Sequence, residues 1–248
     1  MLKKLLAKFL PVSIYKKLTF IYHVYYRRIV WKSFNKPKGT LIYVGANIGD
    51  SFGKLFFKYN HSYSFEPLIE NYIILKRKFG NFKNVKIINS AVSECEGTAD
   101  FHLSNKSNNY ASSSLLKFTD KRNKDRPELK STQTIKVETT NLESFCLKNK
   151  IDYIDLLVLD TEGYDYSILK SIKSLIESKK IREIQCEATI NSKDNPYKDI
   201  KNYEYLIDEL LTDKYEKIAT GWANLTPGLI EDLPSEYNFK DLIYRVKT

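Results

Sequence analysis

Residues 40–53, TLIYVGANIGDSFG, decide the fold of this chain. An apolar run, residues 41–44, stops at Gly45, and a helical pattern of apolar residues resumes at about Phe52. This order predicts a strand, a tight glycine turn and a helix. Four of the nine glycines lie between Gly39 and Gly53, so backbone freedom is concentrated where N–H groups at a helix N-terminus can approach a ligand. An ordinary loop between strand and helix is the alternative for this stretch taken alone.

An acid follows at the distance that a nucleoside-binding unit requires. The next apolar run ends in Glu66-Pro67, and Glu66 lies 21 residues after Gly45. In a βαβ unit an acid about 20 residues after the first glycine stands at the end of the second strand, where its oxygens can accept both ribose hydroxyls. The turn reads G-x-N-x-G, and the G-x-G-x-x-G of nicotinamide enzymes is not present. Nothing in this turn therefore demands a diphosphate.

Beyond this unit, predicted strands and helices alternate as a parallel α/β sheet requires. The sequence predicts strands at residues 41–44, 62–65, 85–89 (continuing to 92), 99–103, 135–139, 154–159, 184–186, 215–219 and 242–246. It predicts helices at residues 52–58, 69–79, 142–148, 166–176 and 203–211. The almost fully apolar run 154–159 is typical of a central strand buried on both faces.

Five residues stand just past the C-terminal ends of predicted strands: Gly45, Glu66, Ala91, Asp160 and Glu187. In an open parallel sheet those ends share one edge, and ligands bind in the crevice there. The sequence therefore predicts a single site built from distant segments.

Five segments resemble, in the same order, the motifs of the FkbM-type family of S-adenosylmethionine-dependent methyltransferases: YVGANIGDSF (43–52), SFEP (64–67), NSAVSECEGTADFHL (89–103), SSSL (112–115) and LLVLDTEGYDYSILKSI (156–172). The resemblance covers roughly residues 40–188. It implies a Rossmann-like class I methyltransferase fold of the α/β class, with a mostly parallel seven-stranded sheet and helices on both faces. Two positions depart from the family's usual pattern, since Tyr43 stands where Asp is usual and Val158 where Lys is usual.

The resemblance also implies the cofactor, S-adenosyl-L-methionine, and residues that contact it: Gly45, Ala46, Asn47, Gly49, Glu66, Ala91 and Asp160. It implies O-methyl transfer to a hydroxyl, with a sugar of a glycan or glycolipid precursor as the acceptor. Methyl transfer is an in-line displacement, in which a positioned base contributes about 10²–10⁴-fold.

The carboxylates placed for catalysis are Asp160, Glu162 and Glu187. By resemblance, Asp160 lies beside the methionine end of the cofactor. We favour Glu162 over Glu187 as the base or as the group that orients the acceptor. The alternative is that Glu162 caps a helix that begins near Tyr164, since an acid is favourable at a helix N-terminus.

Composition suits one domain of 248 residues, of which 42% are hydrophobic. Three widely spaced cysteines without a C-x-x-C indicate neither a disulfide framework nor a zinc site, and no metal is predicted. A reducing, cytoplasmic location is expected. The histidines are more typical of surface or packing positions than of catalysis: His23, His61 and His102.

The net charge of +10 resides in the N-terminal segment, because ten cations precede the first acid, Asp50. The remainder is balanced, so we expect a basic arm and not the basic cleft of a nucleic-acid enzyme. Residues 1–36 are predicted as this arm, with basic amphipathic helical patterns on either side of Pro11 and no run long enough to span a bilayer. The arm either lies on an anionic membrane surface, peripheral at the inner face, or packs on the catalytic domain or a second copy of the chain.

Residues 37–248 are predicted as the methyltransferase domain, without a Gly/Pro-rich linker. Within it, residues 104–134 are rich in Ser, Asn, Lys and Asp, and such a stretch is either a lid or disordered. We favour a lid, because Leu115, Leu116 and Phe118 need apolar partners.

Two other functions remain open from the sequence. A nicotinamide-dependent Rossmann oxidoreductase would use a similar strand and turn, although the missing third glycine argues against it. A catalytically inactive methyltransferase-like protein kept for binding or scaffolding is the second, because Tyr43 replaces an acid that is usual in the family.

Overall fold

The computed structural model describes residues 36–125, 133–190, 195–221 and 239–248. Its strands are β1 (Thr40–Val44), β2 (His61–Phe65), β3 (Val85–Ile88), β4 (Ala91–Val92), β5 (Gly97–Leu103), β6 (Gln133–Thr140), β7 (Leu156–Leu159), β8 (Glu183–Thr189), β9 (Tyr215–Gly221) and β10 (Phe239–Val246). Its α-helices are α1 (Ile69–Phe79), α2 (Asp120–Asp125), α3 (Leu142–Lys148), α4 (Asp165–Ser171), α5 (Lys173–Glu177) and α6 (Glu204–Leu211). The predicted arm lies outside the described residues, apart from Lys36.

The main sheet has seven strands in the order β3-β2-β1-β7-β8-β10-β9. Neighbouring strands are parallel except that β10 runs antiparallel to both β8 and β9. This confirms the predicted mostly parallel, seven-stranded α/β sheet. The strand order changes direction between β1 and β7, and the C-terminal ends of those strands form the crevice where a ligand is expected.

Helices cover both faces of the sheet, as predicted. On one face, β1 contributes Ile42 and Val44 to a core that includes Leu142 of α3 and Ile168 of α4. On the other face, Tyr43 of β1 packs in a cluster with Phe52, Leu75 and Phe79. Alternation along β1 thus sends successive side chains into two different cores. Among the described residues, no helix is both long and apolar enough to cross a membrane.

A second, three-stranded sheet stands beside the first in the order β4-β6-β5. Strand β6 is parallel to β4 and antiparallel to β5. The prediction that the third strand continues through Ala91 is wrong, because β3 ends at Ile88 and Ala91 begins β4 in the second sheet. The Ser90 hydroxyl at this break contacts the Thr140 hydroxyl at 2.9 Å, which ties the crossing chain to β6.

Two predicted helices differ from the structure. Residues 52–58 form two short 3₁₀ turns, Phe52–Lys54 and Phe56–Lys58, instead of one α-helix. These turns place the rings of Phe52 and Phe56 in a stack, with centroids 5.7 Å apart, inside the core. The predicted helix 166–176 is divided into α4 and α5 at Ile172, which is fully buried. In both places the burial of side chains overrides a continuous helical pattern.

Candidate active site

The glycine turn after β1 comes closer to β7 than a side chain would allow. Gly45 has φ +81°, and a β-carbon there would lie 1.9 Å from the carbonyl oxygen of Asp160. The N–H groups of Gly45 and Ala46 both donate to the Phe65 carbonyl oxygen at 3.1 Å. The ends of β1, β2 and β7 therefore meet at this turn.

Two of the predicted cofactor residues, Ala46 and Gly49, pack in the core next to the glycine turn. A β-carbon at Gly49 would lie 2.5 Å from side-chain atoms of Leu75 and Phe79, so this glycine allows close packing on α1. Ala46 is 5% exposed and packs in the same core. Neither lines the cavity, and their contact with the cofactor stays a prediction.

A cavity that opens to solvent lies at this edge of the sheet, and the space in it and at its mouth is about 560 Å³. Six of the predicted site residues line it: Gly45, Asn47, Glu66, Ala91, Asp160 and Glu162. Leu68, Phe101 and Leu115 add apolar walls. Apolar walls with a few convergent polar groups are typical of small-molecule sites. The structure thus brings the ends of three predicted strands and the second sheet to one cavity.

Glu66, the acid predicted to accept ribose hydroxyls, is 5% exposed. One of its oxygens accepts the Asn47 N–H at 2.8 Å, and the other accepts the Leu68 N–H at 2.9 Å. An ionised carboxylate has about four acceptor positions, so about two remain for a ligand. Burial raises the pKa of Glu66 to about 7, although the two N–H groups act to lower it.

Asp160 follows β7, and its exposed side chain faces the cavity. The pKa of Asp160 is raised to about 8. The largest cause is burial on its other sides, and repulsion from Glu162, Asp165 and Asp241 adds to it. Because the side chain is exposed, solvent screening offsets part of this effect. A cation held in the cavity would favour the ionised form of Asp160.

Glu162 has φ +55°, in the left-handed region that side chains rarely adopt. Ser114 Oγ donates to its carbonyl oxygen at 2.8 Å, and the Tyr197 hydroxyl donates to its Oε2 at 2.7 Å. Burial raises the pKa of Glu162 to about 7, while Tyr197 and then Arg122 act to lower it. Helix α4 begins at Asp165, and its N-cap residue Tyr164 makes no side-chain cap hydrogen bond. The alternative that Glu162 stabilises the start of this helix by its charge stays open.

Asp165, which the sequence analysis did not single out, fixes the loop that carries the two cavity carboxylates. It is fully buried. Its Oδ1 accepts from the Thr161 N–H at 3.0 Å and also from the Thr161 hydroxyl, and its Oδ2 accepts the Glu187 N–H at 2.8 Å. The loop after β7 is therefore tied to β8 through one carboxylate, whose pKa burial raises to about 6.

Glu187 lies inside β8 and not past its end, because the strand continues to Thr189. It lines a second cavity, on which Asp160, Tyr43 and Asp241 also border, and it does not line the first. Burial, and then repulsion from Glu162 and Asp160, raises the pKa of Glu187 well above its usual value. The two cavities adjoin at Asp160, and the catalytic role of Glu187 stays a prediction.

Residues 104–125, here called the lid segment, cover one side of the first cavity. The carbonyl oxygen of Asn109 accepts from the side-chain amides of Asn47 at 2.9 Å and Asn71 at 3.0 Å. Tyr110 and Leu115 line the cavity. The segment is thus attached to the glycine turn and to α1 at a single carbonyl group. Its role as a lid stays a prediction.

The apolar residues of the lid segment find the partners that the sequence predicted they need. Leu115 packs with the core of the second sheet, whereas Leu116 and Phe118 pack with Tyr197 and Ile200. The Arg122 guanidinium lies over the Phe118 ring, 3.8 Å from its centroid.

Sequence reasoning missed three residues that shape the site: Asn71, Asp165 and Tyr197. A signal existed for Asn71, which interrupts the apolar stripe of α1 yet is 3% exposed. Asp165 could have been found from the DTEGYDY motif, where it falls in the first turn of the helix. Tyr197 lies between segments without a clear pattern, so the sequence carried no signal for it.

The residues of the first cavity fit an adenosyl cofactor with a cationic methionine end. Glu66 retains acceptor positions for ribose hydroxyls, Leu68 and Phe101 offer apolar surface, and Asp160 supplies an acid. Among the described residues, no group of three or more His, Cys, Asp or Glu side chains could hold a metal ion. His102 is buried with Nδ1 2.8 Å from Thr134 Oγ1 and does not line this cavity.

The reversal of strand order, the antiparallel β10 and the acid-bearing cavity at the end of β1 define a class I, Rossmann-like methyltransferase. Residues 44–215 match the family model of the methyltransferase FkbM domain, and the chain belongs to this family. It is an S-adenosylmethionine-dependent methyltransferase. The match confirms the resemblance and the cofactor predicted from the motifs.

Solved structures with a similar fold include the N-methyltransferase NodS from Bradyrhizobium japonicum WM9, which is 10% identical, with 91% of this chain and 94% of that chain covered and a TM-score of 0.45. The same enzyme in complex with S-adenosyl-L-homocysteine is 9% identical, with 91% and 86% covered and a TM-score of 0.44. A putative RNA methyltransferase from Pyrococcus horikoshii is 10% identical, with 88% and 80% covered and a TM-score of 0.40. Among curated proteins, none matches this chain.

Proposed function

We propose that this methyltransferase methylates a hydroxyl oxygen of a sugar in a glycan or glycolipid precursor. The observation that carries the proposal is Glu162, a cavity carboxylate held by Tyr197 at 2.7 Å, with its pKa raised to about 7. A hydroxyl must lose its proton as it attacks, and a carboxylate with a pKa near the working pH is suited to accept that proton. The FkbM motifs and the basic N-terminal segment support a sugar acceptor.

The cavity residues divide the work between binding and proton transfer. S-adenosylmethionine supplies a methyl group activated by its sulfonium when it is bound. Glu66 accepts the ribose hydroxyls and Asp160 faces the methionine end. Glu162 orients the acceptor hydroxyl and accepts its proton. Holding the reactants in line can contribute several kcal/mol, up to about 7–11, to lowering the barrier.

Replacing Glu162 by glutamine tests its role as the base. We expect Glu162→Gln to lower kcat by about 10²–10⁴-fold and to leave the affinity for S-adenosylhomocysteine within about threefold. The exposed acid Glu138, changed to glutamine, is the matched control and should keep full activity. A Glu162→Gln enzyme with an unchanged kcat would exclude this residue as the base.

The acceptor class is tested with the cofactor carrying a deuterated methyl group. The purified chain is incubated with nucleotide sugars, lipid-linked sugars and free amines, and the products are analysed by mass spectrometry. One labelled methyl group on a sugar oxygen, located by fragmentation, supports the proposal. Methylation confined to nitrogen would overturn it.

Calorimetric titration with S-adenosylhomocysteine and with NAD tests the remaining alternatives. Binding of the former in the micromolar range, and no binding of NAD, is expected. Glu66→Ala should weaken that binding strongly, because it removes a buried double acceptor. Failure to bind either compound would favour a scaffold role.

We also propose that residues 1–36 attract the enzyme to an anionic membrane surface, where lipid-linked acceptors are present. The support is the run of ten cations before the first acid. Vesicles that contain acidic lipid should sediment the full chain but not a chain that starts at Lys36. Equal sedimentation of both chains would refute the membrane role.

A further inference from the structure

The C-terminal part of the lid segment is paired with a second stretch of chain, residues 195–200. Phe118 and Tyr197 form an antiparallel β-bridge, and backbone hydrogen bonds of 3.0 Å and 2.7 Å flank it. The rings of these two residues pack with centroids 5.5 Å apart, in a cluster with Leu116 and Ile200. Backbone pairing and apolar burial therefore hold the lid segment at this end.

A glycine lets this cluster reach the loop that carries Glu162. Gly163 has φ +92°, and a β-carbon there would lie 3.0 Å from Ile200 Cδ1 and 3.1 Å from Tyr197 Cδ2. Carbon atoms in ordinary contact are about 3.5–4.0 Å apart, so no side chain fits between the cluster and this backbone. The cluster thus packs directly on the residue that follows Glu162.

Tyr197 fixes one oxygen of the Glu162 carboxylate. Tyr197 is 2% exposed, and its hydroxyl donates to Glu162 Oε2 at 2.7 Å, which is a usual length for an O–H···O bond. The hydroxyl of Ser114, in the lid segment, holds the Glu162 carbonyl oxygen at 2.8 Å. In the part of the chain that the structure describes, no hydrogen bond reaches the other carboxylate oxygen, Oε1. That oxygen is left to accept a proton from a bound acceptor.

A buried cation of the lid segment stands beside this hydrogen bond. Arg122 is 7% exposed, and its guanidinium carbon lies 3.8 Å from the centroid of the Phe118 ring and 5.5 Å from that of Tyr197. A guanidinium keeps its charge when it is buried, and the face of an aromatic ring attracts it. Docking of the lid segment therefore brings a positive charge close to Glu162.

The other charged groups that act on Glu162 are acids, and they come from the same loop, from α4 and from β8: Asp160, Asp165 and Glu187. Tyr197 and Arg122 act in the opposite direction and lower the pKa of Glu162, against the effect of burial. Without these two groups, an ionised Glu162 would be surrounded by groups of its own sign.

We propose that Tyr197 and Arg122 are positioning residues that hold Glu162 as an ionised base, and that this base is complete only while the lid segment is docked on residues 195–200. The inference rests on the proposed function of Glu162 and adds how that carboxylate is prepared. When the docked end is displaced, Arg122 leaves and Glu162 takes up a proton from the solvent. A protonated Glu162 cannot accept the proton of an acceptor hydroxyl.

The ionisation of Glu162 can be measured without an acceptor. Carbon-13 NMR of the full chain, labelled at the glutamate carboxyl carbon, follows each glutamate from pH 4 to pH 10, and Glu162→Gln identifies its signal. Glu162 of the wild type should titrate near pH 7. Tyr197→Phe and Arg122→Gln should each raise this midpoint by about one pH unit, because each variant loses an interaction that favours the ionised form.

Tyr215→Phe and Lys124→Gln are the matched controls. Tyr215 is fully buried and its hydroxyl donates to the Ile181 carbonyl oxygen at 2.8 Å, so this change removes a similar hydrogen bond away from Glu162. Lys124 is an exposed cation of α2, the helix that carries Arg122. Both controls should leave the midpoint of Glu162 unchanged. Arg122→Lys, which keeps the charge, should restore most of the shift seen in Arg122→Gln.

Turnover tests the same inference with the acceptor that the labelled-methyl assay identifies. Tyr197→Phe and Arg122→Gln should lower kcat about tenfold at pH 6 and very little at pH 9, where Glu162 is ionised in every variant. The KM for S-adenosylmethionine should stay the same.

If both variants keep the wild-type NMR midpoint, or lose the same factor in kcat at every pH, Tyr197 and Arg122 serve only to pack the lid segment and the inference is overturned. Failure of the proposed function has a different signature. An unchanged kcat in Glu162→Gln would reject Glu162 as the base, whereas the NMR midpoints would still show whether Tyr197 and Arg122 keep it ionised.

Discussion

Replacing Glu66 by glutamine should change how the stability of this enzyme depends on pH. Glu66 is 5% exposed, and its two oxygens accept the N–H groups of Asn47 and Leu68. A glutamine keeps one acceptor oxygen but turns donors towards the other N–H group. The loss of one buried acceptor costs about 1–3 kcal/mol.

Ionisation of Glu66 at higher pH destabilises the wild type, and this partly offsets the cost of the glutamine substitution. Burial raises the pKa of Glu66 from its ordinary 4.5 to about 7 in the folded protein. Between these pH values the folded chain keeps a proton that the unfolded chain loses, so the stability from this group is complete below pH 4.5 and is lost as the pH rises through 7. Each pKa unit is worth about 1.4 kcal/mol, which gives a loss of about 3 kcal/mol.

Glutamine does not titrate, so among the pH values tested the destabilisation caused by Glu66→Gln should be largest at pH 5 and smaller by about 2.5 kcal/mol at pH 8. Urea unfolding of both proteins at pH 5, 6, 7 and 8 measures this change. The exposed Glu70 of α1, changed to glutamine, is the control. All other buried acids are common to both chains. If the difference in unfolding free energy between the wild type and Glu66→Gln stays constant or widens towards pH 8, the reasoning is refuted.

Three further outcomes follow from the site. Gly45→Ala should abolish calorimetric binding of S-adenosylhomocysteine, because its β-carbon would lie 1.9 Å from a backbone oxygen. The control is Gly97→Ala, where a β-carbon meets no atom within 4 Å. It should cost only backbone strain of about 1–3 kcal/mol and leave binding intact. Asp165→Asn should lower the unfolding free energy in urea by about 1–3 kcal/mol, since an amide cannot accept at both oxygen positions, and an unchanged midpoint would contradict this role. Asn71→Ala should speed amide hydrogen exchange around Asn109 by about fivefold through the loss of one hydrogen bond, and unchanged exchange would show that this bond does not hold the lid segment.

Most strands and helices could be predicted from the sequence, because the patterns that indicate them are local in the chain. The helices at residues 69–79 and 142–148 have the predicted bounds, and the strand predicted at 41–44 is present with one added residue. Glu66 and Asp160 line one cavity, as their positions at strand ends predicted. Periodicity and strand-end position are sufficient for such features, since they depend on neighbours in the chain.

Features that depend on tertiary contacts could not be predicted from the sequence. The pattern at 52–58 favours a helix, but the aromatic core draws it into two 3₁₀ turns. Glu187 and Ala91 were placed by the ends of predicted strands, and those ends depend on pairing with β10 and with β6. The role of Tyr197 requires contact between residues 35 positions apart.

The lid segment belongs to a stretch that leaves the fold and returns to it at one point, because Leu103 of β5 and Gln133 of β6 are cross-strand partners. Chain inserted between two paired residues can change in length and composition without displacing either strand. The part of the stretch that lines the cavity, at Tyr110 and Leu115, can therefore vary while the glycine turn and Glu66 keep their places at the strand ends.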